Sequence, residues 1–301
     1  MTSVLYDVPG PRARRRQRIG GTLGTLAVLA ICAAAVWKLA SEGQFEGKLW
    51  EPFTDPAYLE ALARGLGATI RAAALAIVLA LVFGALFATA RLSERAWVRL
   101  PATTVIEFFR AVPLLLLILF LYLGFAESFE AFGDALDDAV PATVSGILGA
   151  EDMDVLGPLV IGLMLYNGAV LAEVFRAGIL AVSRGQAEAA YSVGLRKSQV
   201  MRLILVPQAV RIMLPAIVSQ CVVALKDTSL GFVIAYYELV QTGKGIYTAN
   251  FNIIPTALVV AAIYISLNMS VSYLAVWLER RQSRRYGRQA VTQAEAAVDV
   301  A

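Results

Sequence analysis

Four ionisable residues that sit inside apolar runs, Arg71, Glu173, Arg176 and Lys226, are the side chains of this sequence best placed to do chemistry. A charge at the centre of a membrane-spanning helix costs about 2.5–3.5 kcal/mol unless it is paired or hydrated. Each of the four therefore pairs, reaches the lipid headgroups, or lines a polar route. Glu173 and Arg176 are three residues apart and share a helical face, so they can pair with each other; a place on a substrate path is the other reading. Arg71 stands about two turns inside its run, within reach of the headgroups, and would equally offer a cation to an acidic ligand. Lys226 adjoins Asp227, as a local ion pair or as part of a gate. All four are candidates for a substrate path.

Little else in the chain asks for catalysis. There is no histidine, which removes the commonest general base and metal ligand together. Cys32 and Cys221 lie in apolar runs and read as small apolar residues. No nucleophile, acid–base pair or metal cluster can be assembled. Neither Gly47-Lys48 nor Gly243-Lys244 stands in the G-x-x-x-x-G-K-[ST] pattern that cradles ATP phosphates. The expectation is a protein that is not an enzyme, with no catalytic residues, no metal and no cofactor.

A second constellation is longer, SRGQAEAAYSVGLRKSQVMRLILVP from Ser183 to Pro207. It exceeds the about 2–8 residues that join helices, so it should be structured. Ala187, Ala190, Tyr191 and Gly194 follow helical spacing and share a small-residue face, and Gly194 offers a turn. Leu195 to Leu205 can form a second helix with Val200, Leu203 and Ile204 on its apolar side and Arg196, Lys197 and Arg202 in water or headgroups. Pro207 suits the first turn of the helix that follows. An amphipathic hairpin lying on a membrane and an element that docks a partner both fit.

These residues must be held by elements that live in lipid. Of the 301 residues, 58% are hydrophobic and 16% charged, against about 45–50% and about 25% in soluble domains. The apolar residues fall into six segments, about 19–40, 64–90, 103–125, 155–182, 206–226 and 255–278. Each can cross a hydrocarbon core of about 30 Å as a helix. Six crossings put both termini on one side. The blocks RARRRQR and ERRQSRR make that side cytoplasmic and argue for topology over nucleic-acid binding. Loops after the second and fourth segments are basic. The loop after the first carries Glu42, Glu46, Glu51, Asp55 and Glu60. That after the third carries Glu127, Glu130, Asp134, Asp137, Asp138, Glu151, Asp152 and Asp154 without a base, so both are outside. The first segment is too long for a cleaved signal core and is expected to stay as an anchor. Residues 227–254 fit a short re-entrant or surface helix. Pro113 is expected within the first turns of the third span, and the polar tail from Arg288 is expected to fray.

Glu188, Ala189 and Ala190, then Gly194, Ile204 and Pro207, resemble the EAA loop of ABC importer permeases, with Val206 where the family more usually has Leu. The likeness runs from about Gly65 to about Leu278 through GLGATIRAAALAIVLALVFGALFATARLS, FFRAVPLLLLILFLYLG and NGAVLAEVFRAGILAVSRGQAEAAYSVG, stretches similar to polar amino-acid permeases. The extra first span, followed by GQFEGKLW, narrows the resemblance to the glutamate importers of actinobacteria. The resemblance implies an all-α integral membrane fold of six transmembrane helices, an N-terminal extra helix plus a five-helix core, with an EAA-type coupling loop. It divides the chain into a basic N-terminus 1–18, an N-terminal helix and outer loop 19–62, a transporter domain 63–279 with coupling loop 183–206, and a tail 280–301. It also implies partners: ABC ATPase subunits on the coupling loop, a second permease subunit in a mixed pair, an extracellular substrate-binding protein, and the bilayer. A secondary transporter driven by an ion gradient is the rival, and it has no need of such a loop.

Overall fold

The structure is a computed structural model that describes residues 10–298, with side chains described to Leu274 and at Trp277. The side chains of ERRQSRR and the first half of the basic N-terminus therefore lie outside the described residues. Within them the chain is helical throughout, and the elements in order are α1 (Pro11–Ser41), α2 (Pro56–Arg91), α3 (Ala96–Ala111), α4 (Leu114–Ala139), α5 (Ala142–Leu148), α6 (Met153–Leu180), α7 (Arg184–Ser192), α8 (Lys197–Gln199), α9 (Val206–Asp227), α10 (Leu239–Asn250) and α11 (Ile253–Val298). Six helical stretches are long and apolar enough to cross a membrane, as the segments predict: Pro11–Ser41, Pro56–Arg91, Leu114–Ala139, Ala150–Leu180, Lys197–Ile234 and Ile253–Leu274.

The bundle is built around α6, which packs on α2, α4, α9 and α3. The α2–α6 seam has a simple cause. Ala72, Ala76, Ala80 and Ala88 recur every four residues and are no more than 1% exposed, with Gly84 filling the missing step. Small residues at this spacing let helix backbones approach, which is what drives association where lipid tails are as apolar as leucine. At Gly84 a Cβ would sit 3.1 Å from the Gly168 carbonyl oxygen of α6, so the seam tolerates nothing larger there. By contrast α1 contributes no buried residue at all.

Several expectations are corrected. The third apolar segment is not one helix over 103–125. Val112 takes an extended conformation (φ −76°, ψ 128°), the one that a following proline favours, so α3 ends at Ala111 and α4 starts after Pro113. Glu127, Glu130, Asp134, Asp137 and Asp138 stand on α4 and not in a loop. The segment 227–254, by contrast, holds a 3₁₀ stretch, Thr228–Ile234, and the short helix α10, in keeping with the short helix expected there. The tail from Arg288 continues α11 to Val298 where fraying was expected.

Candidate functional site

The loop from Ser183 to Leu205 closes α7 by a Schellman arrangement. Gly194 adopts φ +83°, its N–H donates to Tyr191 O at 2.9 Å, and Leu195 N–H donates to Ala190 O at 3.2 Å. These bonds satisfy carbonyls that the helix end would otherwise orphan. Gly194 is thus the turn that the sequence predicts. Glu188 and Ala189 face outward, Ala190 is buried, and Ile204 is half-buried. Pro207 falls in the first turn of α9, as expected. Between α8 and α9 the residues Val200–Leu205 form a π-helical turn, a rare geometry that often marks functional places and that no sequence signal announced. Of the apolar side foreseen for this stretch, Val200 is fully buried but Leu203 is 59% exposed. Tyr191 and Val193 are exposed as well, so the loop presents one carboxylate among uncovered apolar side chains. Two tethers hold it: Lys197 pairs with Glu94 of the α2–α3 turn, and Gln208 Nε2 of α9 donates to Gln186 Oε1 at 3.3 Å. The Lys197 ammonium holds the Glu94 carboxyl below its ordinary value.

About two turns before the loop, α6 carries an ionic network. Arg176 donates to Glu173 Oε2 through Nη2 at 3.0 Å and Nε at 3.2 Å, so the expected pair exists. It is not isolated. Arg91, the last residue of α2, holds the other Glu173 oxygen and reaches Glu107 of α3 at 3.3 Å, which also takes Arg110 at 3.4 Å. Five charges on three helices are joined beside the loop. The second apolar segment, about 64–90, leaves Arg91 in the basic loop that follows it, which hides this role in the sequence.

At the opposite end Arg71 turns inward, which sets aside the reading that it reaches the headgroups. Its Nη2 donates to Asp152 Oδ2 at 3.0 Å and to the Tyr236 hydroxyl at 3.3 Å, and its Nη1 to Gly146 O at 3.3 Å. Tyr236 in turn donates to Ala68 O at 3.1 Å, and burial raises its hydroxyl pKa. Next to it, the fully buried Glu238 caps α10 by accepting from Val240 N and Gln241 N, both at 2.9 Å, and takes the Tyr264 hydroxyl at 2.8 Å. Burial raises the Glu238 carboxyl pKa. Lys226 forms no ion pair with Asp227; it is exposed and lines a cavity of about 510 Å³ between α9 and α11 with Ser229, Tyr264 and Asn268. Midway along α6, Asn167 accepts from Gln220 Nε2 of α9 at 2.6 Å. The signal for that pair in the sequence is a polar amide inside each of two apolar runs. The structure therefore brings Glu173 and Arg176 together near the loop and sets Arg71 and Lys226 apart from them at the far end. Among the described residues no group of His, Cys, Asp and Glu could hold a metal ion.

A bundle with six helices long and apolar enough to cross a membrane is the architecture of an integral membrane protein. Residues 80–284 match the family described as "Binding-protein-dependent transport system inner membrane component", and the chain belongs to it. Its relatives are amino-acid ABC transporter permeases. It is 37% identical over 244 residues, 81% of this chain and 83% of the relative, to the glutamate transport system permease protein GluD of Corynebacterium glutamicum. It is 30% identical over 220 residues, 72% and 91%, to the glutamate/aspartate import permease protein GltK of Escherichia coli O157:H7. Among solved structures, an amino acid ABC transporter with histidines matches with TM-score 0.59 at 30% identity over 75% of this chain and 95% of that one. An inward-facing MetNI methionine transporter at 16% identity, TM-score 0.57, shows the shared fold alone.

Proposed function

We propose that this chain is the permease subunit of an ATP-driven importer that carries a polar amino acid, glutamate foremost, across the plasma membrane. The observation that carries the reading is the loop 183–206: a short helix closed by Gly194, exposed at Glu188 and Ala189, tethered at its base and continuous with a central ionic network. Glu188, Ala189, Ala190, Gly194, Ile204 and Pro207 form the coupling element. ATPase subunits dock there and supply the hydrolysis that this chain does not perform. Their closure moves α7, and through Glu173, Arg91 and Glu107 it moves α6, α2 and α3 as a rigid unit between inward-open and outward-open states. The coupling loop and both termini are cytoplasmic, and an extracellular binding protein delivers substrate to the far end. Arg71, Glu173, Arg176 and Lys226 border the path that the substrate takes. The second permease subunit is a different chain, and the transporter domain spans 63–279.

The test is co-purification in mild detergent with the ATPase subunits. Wild type should retain ATPase, and Glu188→Arg should lose it while keeping the same elution volume. If no ATPase associates with the wild type, the importer reading is wrong.

A further inference from the structure

A cavity of about 700 Å³ opens at the end of the bundle away from the loop 183–206, between α2, α10 and the turn at Glu151 and Asp152. Small-molecule sites span about 300–1,000 Å³. Its wall carries both signs of charge, Arg64 and Arg71 from α2 against Glu151 and Asp152. Two polar atoms on that wall are buried without a hydrogen-bond partner, the Arg71 Nε donor and the Gln241 Oε1 acceptor. Each such orphan costs about 1–3 kcal/mol. Gln241 ends in an amide that can turn about its own bonds, while the Arg71 guanidinium is fixed by Asp152, Tyr236 and the Gly146 carbonyl. A ligand that brings one acceptor and one donor satisfies both at once.

The glycines of the wall point the same way. At Gly67 and Gly245 an added Cβ would meet nothing within 4 Å, whereas at Gly65 it would meet Thr242 Oγ1. Gly65 serves the close packing of α2 on α10. Gly67 and Gly245 serve no packing in this structure, and what their lack of a side chain leaves is room in the cavity.

We propose that this cavity is an entry subsite for a free zwitterionic amino acid, its carboxylate on Arg71 and Arg64 and its ammonium on Glu151 and Gln241. A simple inorganic anion would meet Glu151 and Asp152 with like charge. An uncharged sugar has no use for the Arg64 and Glu151 charges that stand on the wall beside the Arg71–Asp152 pair. A single carboxylate side chain of a docked binding protein leaves the acidic half of the wall unmatched. The assignment rests on the amino-acid permease reading and adds to it a place, the mouth of α2 and α10, and a ligand state, free of its carrier protein.

The permease, co-purified with its ATPase and reconstituted in lipid nanodiscs without binding protein, is titrated with each of the twenty amino acids by thermal shift. The best is then measured by equilibrium binding. At least one should bind saturably, and Gly67→Leu and Gly245→Leu should each weaken it about tenfold or more, the equivalent of one lost charge-assisted hydrogen bond. Gly124→Leu, likewise open around its Cβ but outside the cavity, should bind as wild type, which separates occlusion from misfolding. Glutarate, which lacks the ammonium, and putrescine, which lacks the carboxylate, should not compete. The subsite is overturned if no amino acid binds. It is also overturned if both filled variants bind as wild type, or if they lose only binding-protein docking. Uptake by the complete system keeps the two ideas apart: uptake with an unchanged KM in Gly67→Leu removes the subsite and leaves the permease, while no amino-acid uptake by wild type removes the permease reading itself.

Discussion

Glu173 shows how far a residue can be read alone. Its spacing to Arg176 predicts the pair that the structure contains, because i, i+3 neighbours on a helix meet whatever surrounds them. Arg91 and Glu107 reach the same cluster only because α2 and α3 fold against α6. The Arg91 and Glu173 side chains are 17% and 21% exposed, so solvent screens this network only in part. Glu173→Gln keeps the shape and removes the charge that two guanidinium groups share. The expected loss is about 1–3 kcal/mol, read as a fall of several degrees in the melting temperature of the purified permease. A melting temperature and transport rate equal to wild type would show that the network contributes nothing. Arg71 teaches the converse. Its place near the end of an apolar run suited snorkelling, but Asp152 and Tyr236, 81 and 165 residues away, hold it inside.

Among elements, α7 with its turn is the clearest case of local chemistry deciding structure. A non-glycine residue in the left-handed region at Gly194 costs roughly 1–2 kcal/mol, and a β-branched one is the worst choice there. Gly194→Val should therefore displace α7 from its closed turn without touching any span. ATP hydrolysis by the assembled complex should persist while uptake falls severalfold, with membrane insertion unchanged. Uptake per ATP equal to wild type would falsify the coupling role. The break at Val112 and Pro113 is half legible: the sequence shows the proline, and only the structure shows that Val112 leaves the helix before it. The π-helical turn at Val200–Leu205 is not legible, since the apolar spacing is read at 3.6 residues per turn and a wider turn moves the faces, so that Leu203, expected on the apolar side, is exposed.

At the scale of the molecule, α1 is the outlier. Its sequence is second only to α2 in mean hydropathy among the spans, yet none of its residues is buried, whereas two thirds of the most apolar window of the span containing α6 is buried (67%). A chain lacking residues 11–41 should thus insert and keep the bundle 56–274, with a melting temperature within a few degrees of the full chain in detergent. A large drop would mean that α1 packs on the bundle in the membrane.

What the sequence by itself determined is whatever depends on short-range periodicity and on transfer from water to lipid. That covers the number of spans, the all-helical class, the turn at Gly194 and the pairing of Glu173 with Arg176. The transmembrane count follows from hydropathy because an unpaired backbone cannot cross a bilayer. Tertiary structure alone decided which charges meet across helices: Arg71 with Asp152 and Tyr236, Arg91 with Glu173, Asn167 with Gln220, and the mixed-charge cavity at the mouth of α2 and α10. Those contacts join residues tens to more than a hundred positions apart. They depend on which helix faces pack together, a choice made by the small-residue seam of α2 and α6 and not by any single segment.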